Sequence, residues 1–114
     1  MITGMHAIIY SPQAERVQTF LRDVVHLRSV DAGEGWPIFA APPTELAVHP
    51  TDGEAAHELF LMCDDVRATT AELAKHGVET TMAITDRGWG LVTQLRLPGG
   101  DVIGLYEPRH LSPL

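Results

Sequence analysis

The stretch HELFLMCDDVRATTAELAKHGV, residues 57–78, decides the fold because a strand pattern runs directly into a helix pattern. The segment 57–62 is short and mostly apolar, and its side chains are large, which is typical of a β-strand. Asp64 or Asp65 then offers a helix N-cap, and apolar side chains follow at helical spacing. Gly77 supplies the left-handed residue that commonly ends a helix. The stretch therefore predicts a β-strand followed by an α-helix.

The same pattern occurs earlier, in HAIIYSPQAERVQTFLRDVVHL at residues 6–27. Residues 6–10 predict a strand, and Ser11-Pro12 predicts a helix start with the serine hydroxyl as N-cap. The two copies are separated by 57 − 6 = 51 positions. The pairs Gly35-Trp36 and Gly88-Trp89 are separated by a similar number of positions, 88 − 35 = 53. This regularity indicates an internal duplication.

Further predicted strands complete each half. They are residues 28–32, 36–40 and 45–49 in the first half and residues 78–84, 91–97 and 102–106 in the second. Each half thus has the order β-α-β-β-β, which predicts an α+β fold. Two βαβββ modules would form a curled mixed β-sheet cleft with the helices packed outside. A length of 114 residues suits one domain, with module one at about 1–52 and module two at about 53–114.

Composition and charge exclude several classes of partner. Eight Lys and Arg against fifteen Asp and Glu give a net charge of −7, which argues against nucleic-acid binding. No apolar run approaches the roughly 18 residues needed to span a membrane. The start of the chain lacks the pattern of a secretory signal. Cys63 is the single cysteine, so no internal disulfide forms and the cytoplasm is the expected location.

Several motifs together resemble the vicinal oxygen chelate superfamily, which includes glyoxalase I, extradiol dioxygenases, fosfomycin-resistance enzymes and bleomycin-resistance proteins. The motifs are Cys63-Asp64-Asp65-Val66, residues 71–78 (AELAKHGV), Asp86-Arg87-Gly88-Trp89-Gly90 and the ending at residues 97–108 (LPGGDVIGLYEP). The resemblance covers nearly the whole chain and implies a single glyoxalase-like domain. The superfamily contains both enzymes and pure binding proteins, so the fold alone does not assign a function.

The resemblance implies a divalent metal site with ligands on the first and last strands of each half. Matched position by position, the ligands are His6, Glu45 and His57, and the fourth position falls on Gly104, where many relatives carry glutamate. This donor set suits Fe, Mn, Ni or Zn, with open positions for substrate. Strand alternation places Glu107 on the opposite face, so it is not predicted as a ligand. The alternatives are structural histidines and a surface glutamate.

Four other side chains are candidates for a substrate pocket or for chemistry. Trp36 and Trp89 follow a glycine in matching hairpins and would stack on a planar ligand, or would cover the open sheet ends. His49 shares the face of Glu45 and would line the pocket or replace a ligand. Tyr106 would donate a hydrogen bond to bound substrate, and Glu45 and Tyr106 are the predicted catalytic residues. A packed tyrosine is the alternative.

Three functional hypotheses from different classes follow. The first is a metal-dependent lyase or dioxygenase of glyoxalase or extradiol-dioxygenase type, acting on a small oxygenated substrate through Lewis-acid chemistry. The alternative is a metal-free protein that sequesters an aromatic antibiotic, as bleomycin-resistance relatives do, since negative charge and tryptophans favour planar cations. A purely structural role is the third. Small relatives also imply a homodimer that builds each site from both subunits.

Overall fold

A computed structural model describes residues 6–54 and 56–114. It has two helices and two sheets, which confirms the predicted α+β fold class. The elements are α1 (Ala14–Asp23), β1 (Ser29–Asp31), β2 (Pro37–Phe39), β3 (Phe60–Met62), α2 (Val66–Lys75), β4 (Thr85–Asp86), β5 (Gly90–Arg96) and β6 (Val102–Pro108). Neither helix of the described part is long and apolar enough to cross a membrane. Residues 1–5, on which the expectation about a secretory signal rests, lie outside the described residues.

The second half of the chain folds into a four-stranded sheet in the order β3-β6-β5-β4. Strands β5 and β6 form a long antiparallel hairpin in which Val92 pairs with Tyr106 and Gln94 pairs with Gly104. Strand β3 lies parallel to β6 on its other side, with Phe60 opposite Gly104. Strand β6 therefore lies between β3 and β5, where its side chains have neighbours on both sides.

Both helices pack on one face of this sheet and enclose the hydrophobic core. Helix α1 contributes Val17 and Phe20, α2 contributes Val66, and the sheet contributes Leu95 and Leu105, all of them buried. Burying one such aliphatic or aromatic side chain stabilises the fold by about 1.5–3 kcal/mol. Because α1 belongs to the first half of the sequence, this core joins the two halves.

The two helices begin in different ways. Asp65 caps α2 as predicted, since its Oδ1 accepts a hydrogen bond from a first-turn backbone N–H at 3.0 Å. Ser11 does not cap α1: Gln13 holds the N-cap position and makes no side-chain bond there. The Ser11 hydroxyl instead donates to the Pro98 carbonyl at 3.4 Å, in the β5–β6 turn. Gly77 follows α2 with a φ of 77°, the left-handed conformation that was predicted.

In the second half, the observed strands agree best with the predicted ones at β5 and β6. The predicted strand 78–84 is represented by one isolated bridge, between Thr80 and Leu95, and β4 begins only at Thr85. Strand β3 begins at Phe60 rather than at His57. The long hairpin is formed because each of its strands has a full-length partner, whereas the flanking strands pair over two or three residues.

The first half forms fewer strands than predicted. Residues 28–32 and 36–40 form the short hairpin β1–β2, which is a separate two-stranded sheet. Residues 6–10 and 45–49 are not in strands, so the predicted sheet of module one is not formed and the cleft is not closed. The reason is that these segments find no partner strand within the described chain. Their exposed apolar side chains are Ile8 (59%), Tyr10 (84%), Leu46 (74%) and Val48 (91%).

Candidate functional site

Tyr106 lies among polar and aromatic side chains on the sheet face that points away from the helices. Its phenol O–H donates a hydrogen bond to Glu45 Oε1 at 2.6 Å. Glu45 comes from the segment between β2 and β3, so this contact joins residues 61 positions apart. The sequence suggested the two residues on separate grounds, and the structure brings their side chains into contact.

Strand alternation explains why Tyr106 points away from the core. Ile103 and Leu105 of β6 belong to the hydrophobic core, so Gly104 and Tyr106 lie on the opposite face. Gly90, on β5, makes room for the tyrosine, because a Cβ there would approach Tyr106 Cδ2 to 3.0 Å. Gly90 thus leaves room for the Tyr106 ring on this face of the sheet.

The Glu45 carboxylate is only partly satisfied. Its Oε1 accepts from Tyr106, whereas Oε2 is buried and has no hydrogen-bond partner among the residues described. The Ser112 hydroxyl, then the Tyr106 phenol and the His110 imidazole, lower the pKa of the Glu45 carboxyl, although desolvation acts in the opposite direction. A buried carboxylate oxygen without a partner favours an approaching N–H donor or cation.

The Tyr106 phenol is held in its neutral form. Burial, followed by the hydrogen bond to Glu45 and the negative charge of that carboxylate, raises the pKa of Tyr106 to about 12. A phenol that stays protonated at neutral pH donates a hydrogen bond and does not act as a base. Tyr106 therefore orients Glu45 through Oε1, while Oε2 stays without a hydrogen-bond partner among the described residues.

Two aromatic rings lie against this tyrosine, and the three rings together form what we call the aromatic cluster: Phe60, Trp89 and Tyr106. Phe60 lies 5.7 Å from Tyr106 and 6.3 Å from Trp89 between ring centroids, and Trp89 lies 5.4 Å from Tyr106. All three pairs meet edge to face, a geometry that aromatic pairs prefer. Phe60 is 39% exposed and Trp89 is 43% exposed, so the cluster is accessible to a planar ligand.

His110 adds a fourth ring from the segment that follows β6. Its imidazole stacks on Tyr106 with centroids 6.1 Å apart and an interplanar angle of 24°. Its Nε2 lies 3.4 Å from the Tyr106 hydroxyl and 3.7 Å from Glu45 Oε1. The site thus combines an aromatic surface, a carboxylate and an imidazole.

Sequence reasoning did not find Phe60 or His110. Phe60 could have been found from the parallel register of β3 and β6, because a large ring opposite Gly104 explains why that residue is glycine. No sequence pattern marks His110, since it lies outside every predicted element. Its position depends on how the segment after β6 turns back over Tyr106.

The predicted metal ligands do not meet in this arrangement. His6 and His57 are exposed, and within the described chain no group of three His, Cys, Asp or Glu side chains could hold a metal ion. Gly104 lies under the Phe60 ring: a Cβ there would approach Phe60 Cγ to 2.9 Å and two further ring atoms more closely. This donor set as arranged does not fit a metal ion. The assignment of His6, Glu45 and His57 as ligands stays a prediction.

The three remaining predicted pocket residues are Trp36, His49 and Trp89, and the structure does not bring all of them into the aromatic cluster. Trp89 belongs to the cluster, whereas Trp36 is 67% exposed beside the first residue of β2. His49 is exposed in the segment after Glu45, which is not a strand. The prediction that both tryptophans flank one ligand stays a prediction.

Comparison with known protein families decides the relationship. The sequence profile described as Glyoxalase/Bleomycin resistance protein/Dioxygenase superfamily matches residues 4–105. The chain belongs to this superfamily. The resemblance inferred from the second-half motifs is thereby confirmed. No curated protein matches the chain.

Solved structures show the glyoxalase-superfamily fold independently. TnmS3, an antibiotic binding protein from a Streptomyces species, is 24% identical, with a TM-score of 0.62 and coverage of 91% of this chain and 99% of that one. Lactoylglutathione lyase from Agrobacterium tumefaciens is 14% identical, with a TM-score of 0.60 and coverage of 91% and 95%. A superfamily member from Sphaerobacter thermophilus is 19% identical, with a TM-score of 0.62 and coverage of 92% and 97%.

Membership of the glyoxalase superfamily leaves the function to be argued from residues. Members bind small-molecule ligands and commonly form dimers. By their names, one structural neighbour binds an antibiotic and another is a lyase, and at these identities the likeness shows the fold alone. The aromatic cluster and Glu45 are therefore the features on which a functional proposal rests.

Proposed function

We propose that this glyoxalase-superfamily protein binds a small aromatic molecule against the aromatic cluster and does so without a metal ion. One observation carries the proposal: the Phe60 ring covers Gly104, the position where the resemblance implies a metal-ligating carboxylate. Trp89 and Tyr106 extend that apolar surface with rings held edge to face. A partly exposed group of fixed rings suits stacking of a planar ligand.

Glu45 gives this surface its polar selectivity. Its lowered pKa keeps the carboxylate ionised at neutral pH, and Oε2 has no partner in the described chain. A ligand that carries an N–H group or a positive charge would satisfy that oxygen. The chain's net charge of −7 favours the same class of ligand at longer range.

Tryptophan fluorescence tests the proposal directly. The chain has two tryptophans, so Trp36→Phe leaves Trp89 as the only indole. We expect planar aromatic compounds to quench Trp89 in that variant and to leave the fluorescence of the matched Trp89→Phe variant unchanged. Phe60→Ala should weaken binding about tenfold, since one stacking contact is lost. Failure of cationic, neutral and anionic planar compounds to quench Trp89 would refute the proposal.

A metal-dependent reaction of the glyoxalase or dioxygenase type is the second candidate. The free Oε2 of Glu45 favours it, because a carboxylate oxygen without a partner also suits a metal ion. His6 and His57 would have to join Glu45, for example from a second copy of the chain. Metal analysis of protein purified without an affinity tag decides this point. Stoichiometric metal that disappears in both His6→Ala and His57→Ala would replace the first proposal.

We also propose that the protein is a homodimer. The first half exposes strand-like apolar segments at residues 6–10 and 45–49, and a second copy would provide partner strands for them. Light scattering at micromolar concentration should give twice the chain mass of 12.5 kDa. Val48→Lys places a charge at a 91% exposed position and should shift the equilibrium toward monomer. A wild-type protein that scatters as a monomer contradicts the dimer.

The cytoplasm is the proposed location. The argument is that Cys63 is the single cysteine of the chain, so stability does not depend on an oxidising compartment. Fractionation of cells that express the protein should recover it with cytoplasmic markers, and recovery with an extracytoplasmic fraction would overturn this assignment.

A further inference from the structure

The His110 imidazole differs from the other rings around Tyr106 in its orientation. Phe60 and Trp89 meet Tyr106 at interplanar angles of 82° and 71°, whereas His110 lies nearly parallel to it at 24°. Its Nε2 lies 3.4 Å from the Tyr106 hydroxyl and 3.7 Å from Glu45 Oε1, so the imidazole lies at the hydroxyl end of the tyrosine and not over its ring face. His110 therefore occupies the place beside Glu45 where the polar group of a planar ligand on the aromatic cluster would lie.

Hydrogen-bond geometry shows which kind of ring this position accepts. The His110 Nδ1 lies 2.7 Å from the Leu111 carbonyl oxygen, which is an acceptor only, so Nδ1 carries a hydrogen. The Nε2 faces Glu45 Oε1 at 3.7 Å and the Tyr106 hydroxyl at 3.4 Å. Because Tyr106 already donates to Glu45, the oxygens of both residues can accept at this point, so the position of Nε2 suits a ring that presents an N–H donor to a carboxylate.

The segment that carries His110 is held by polar contacts, among them that of the Ser112 hydroxyl with the Glu45 carboxylate, and not by packing into the core. The Arg109 N–H donates to the Trp89 carbonyl oxygen at 2.9 Å, which holds the start of the segment. Beyond His110, Leu111 is 98% exposed and Leu114 is 62% exposed, so neither packs into the core. Displacing residues 110–114 would therefore leave the hydrophobic core intact.

We propose that His110 is an intramolecular substitute for the ligand, so that the site takes a planar, cationic nitrogen heterocycle which displaces the imidazole from Tyr106. This inference rests on the proposed function and narrows its ligand class. The ligand ring stacks on the exposed rings of the aromatic cluster, and its charged N–H group takes the place of the His110 Nε2 beside the Glu45 carboxylate. Binding and release then require the segment at 109–114 to move away and return.

The test uses two planar fused-ring probes of opposite charge, 9-aminoacridine as the cation and anthracene-9-carboxylate as the anion. Binding to the full chain is followed by probe fluorescence for wild type and His110→Ala. We expect the cation to bind His110→Ala about tenfold more tightly than wild type, because no side chain has to be displaced. The control is His76→Ala, which removes a half-exposed histidine at the end of α2 and should leave binding unchanged.

Two further measurements separate displacement from a change in folding. Free imidazolium added to His110→Ala should compete with 9-aminoacridine and return its affinity toward the wild-type value. Glu45→Gln should remove the preference for the cation over the anion, because the carboxylate charge is lost. Circular dichroism of each variant checks that the fold is retained.

The outcomes distinguish the two proposals. If 9-aminoacridine binds wild type and His110→Ala with the same affinity, the substitute role of His110 is refuted and aromatic binding stands. If the anion binds as tightly as the cation, the ligand class is wrong. If neither probe binds any variant, the proposed function fails and this inference fails with it.

Discussion

The two halves of the chain have similar sequence patterns and different structures. The second half forms a four-stranded sheet with one helix. Of the ten buried hydrophobic residues in the described part of the chain, it contributes eight, whereas the first half contributes two, Val17 and Phe20. Both of these come from α1, which packs on the sheet of the second half. An amphipathic helix can be buried by any apolar face that it meets, but a strand also needs a partner for its backbone.

This contrast teaches that a duplicated pattern does not guarantee a duplicated structure. Residues 57–62 contain β3, which pairs with β6, while the equivalent residues 6–10 pair with nothing in the described chain. The difference lies in whether a neighbouring strand is present and not in the segment itself. The first half is therefore the part whose structure the proposed second copy would change most.

The largest expected effect comes from truncating matched leucines in the two halves. Leu95 is fully buried in β5, so Leu95→Ala should lower the free energy of unfolding by about 2–5 kcal/mol. Leu46 is 74% exposed, so Leu46→Ala should change it by less than about 0.5 kcal/mol. Urea denaturation followed by circular dichroism measures both. Equal costs would show that the first half is buried in solution and would remove the contrast.

A smaller effect is expected from a substitution of Gly104, which lies opposite Phe60 of β3. Gly104→Ala would force the Phe60 ring away from the strand, at a cost of about 1–3 kcal/mol in the free energy of unfolding. Phe60→Ala should remove most of that additional cost, so a double-mutant cycle should show strong coupling between the two positions. Additive effects would mean that the ring does not lie over Gly104.

Next in size is the loss of a helix cap. Asp65→Ala removes the side-chain acceptor at the start of α2 and should destabilise the fold by about 1 kcal/mol. Gln13→Ala, at the matching position of α1, removes no such bond and should cost less than about 0.5 kcal/mol. Chemical denaturation of the two variants side by side provides the measurement. A cost for Gln13→Ala as large as that for Asp65→Ala would contradict the difference between the helices.

The last prediction concerns the contact between the halves at Tyr106, whose effect on stability is confined to high pH. In the Tyr10→Phe variant, tyrosinate absorbance should report Tyr106 alone, with a pKa of about 12 against an ordinary 10.0. The raised pKa means that this contribution to stability is fully present below pH 10 and is lost as the pH rises through about 12. Adding Glu45→Gln should lower the Tyr106 pKa. An unchanged titration would mean that Glu45 does not contact the phenol in solution.

Sequence reasoning was most successful where the signal is local. The α+β class, the cap at Asp65, the end of α2 at Gly77 and the β5–β6 hairpin all follow from neighbouring residues. The predictions of strands at residues 6–10 and 45–49 were wrong for this structure. Alternation of apolar and polar residues predicts that a segment has an apolar face, but it does not specify which strand the segment pairs with.

The candidate site was predictable only in part. Glu45 and Tyr106 were selected for separate reasons, and their hydrogen bond could not be foreseen from residues 61 positions apart. Phe60 was read only as one residue of a strand, and its contact with Gly104 depends on the register of two distant strands. His110 depends on a turn after β6 that no sequence signal specifies.

The central position of β6 has a consequence for the order in which a newly made chain matures. Tyr106 is the residue that Glu45, Phe60, Trp89 and His110 all touch, and it is synthesised after the first three of them. On the ribosome, a nascent polypeptide therefore cannot form the aromatic cluster until β6 has emerged. The proposed ligand recognition can begin only once translation has passed that strand.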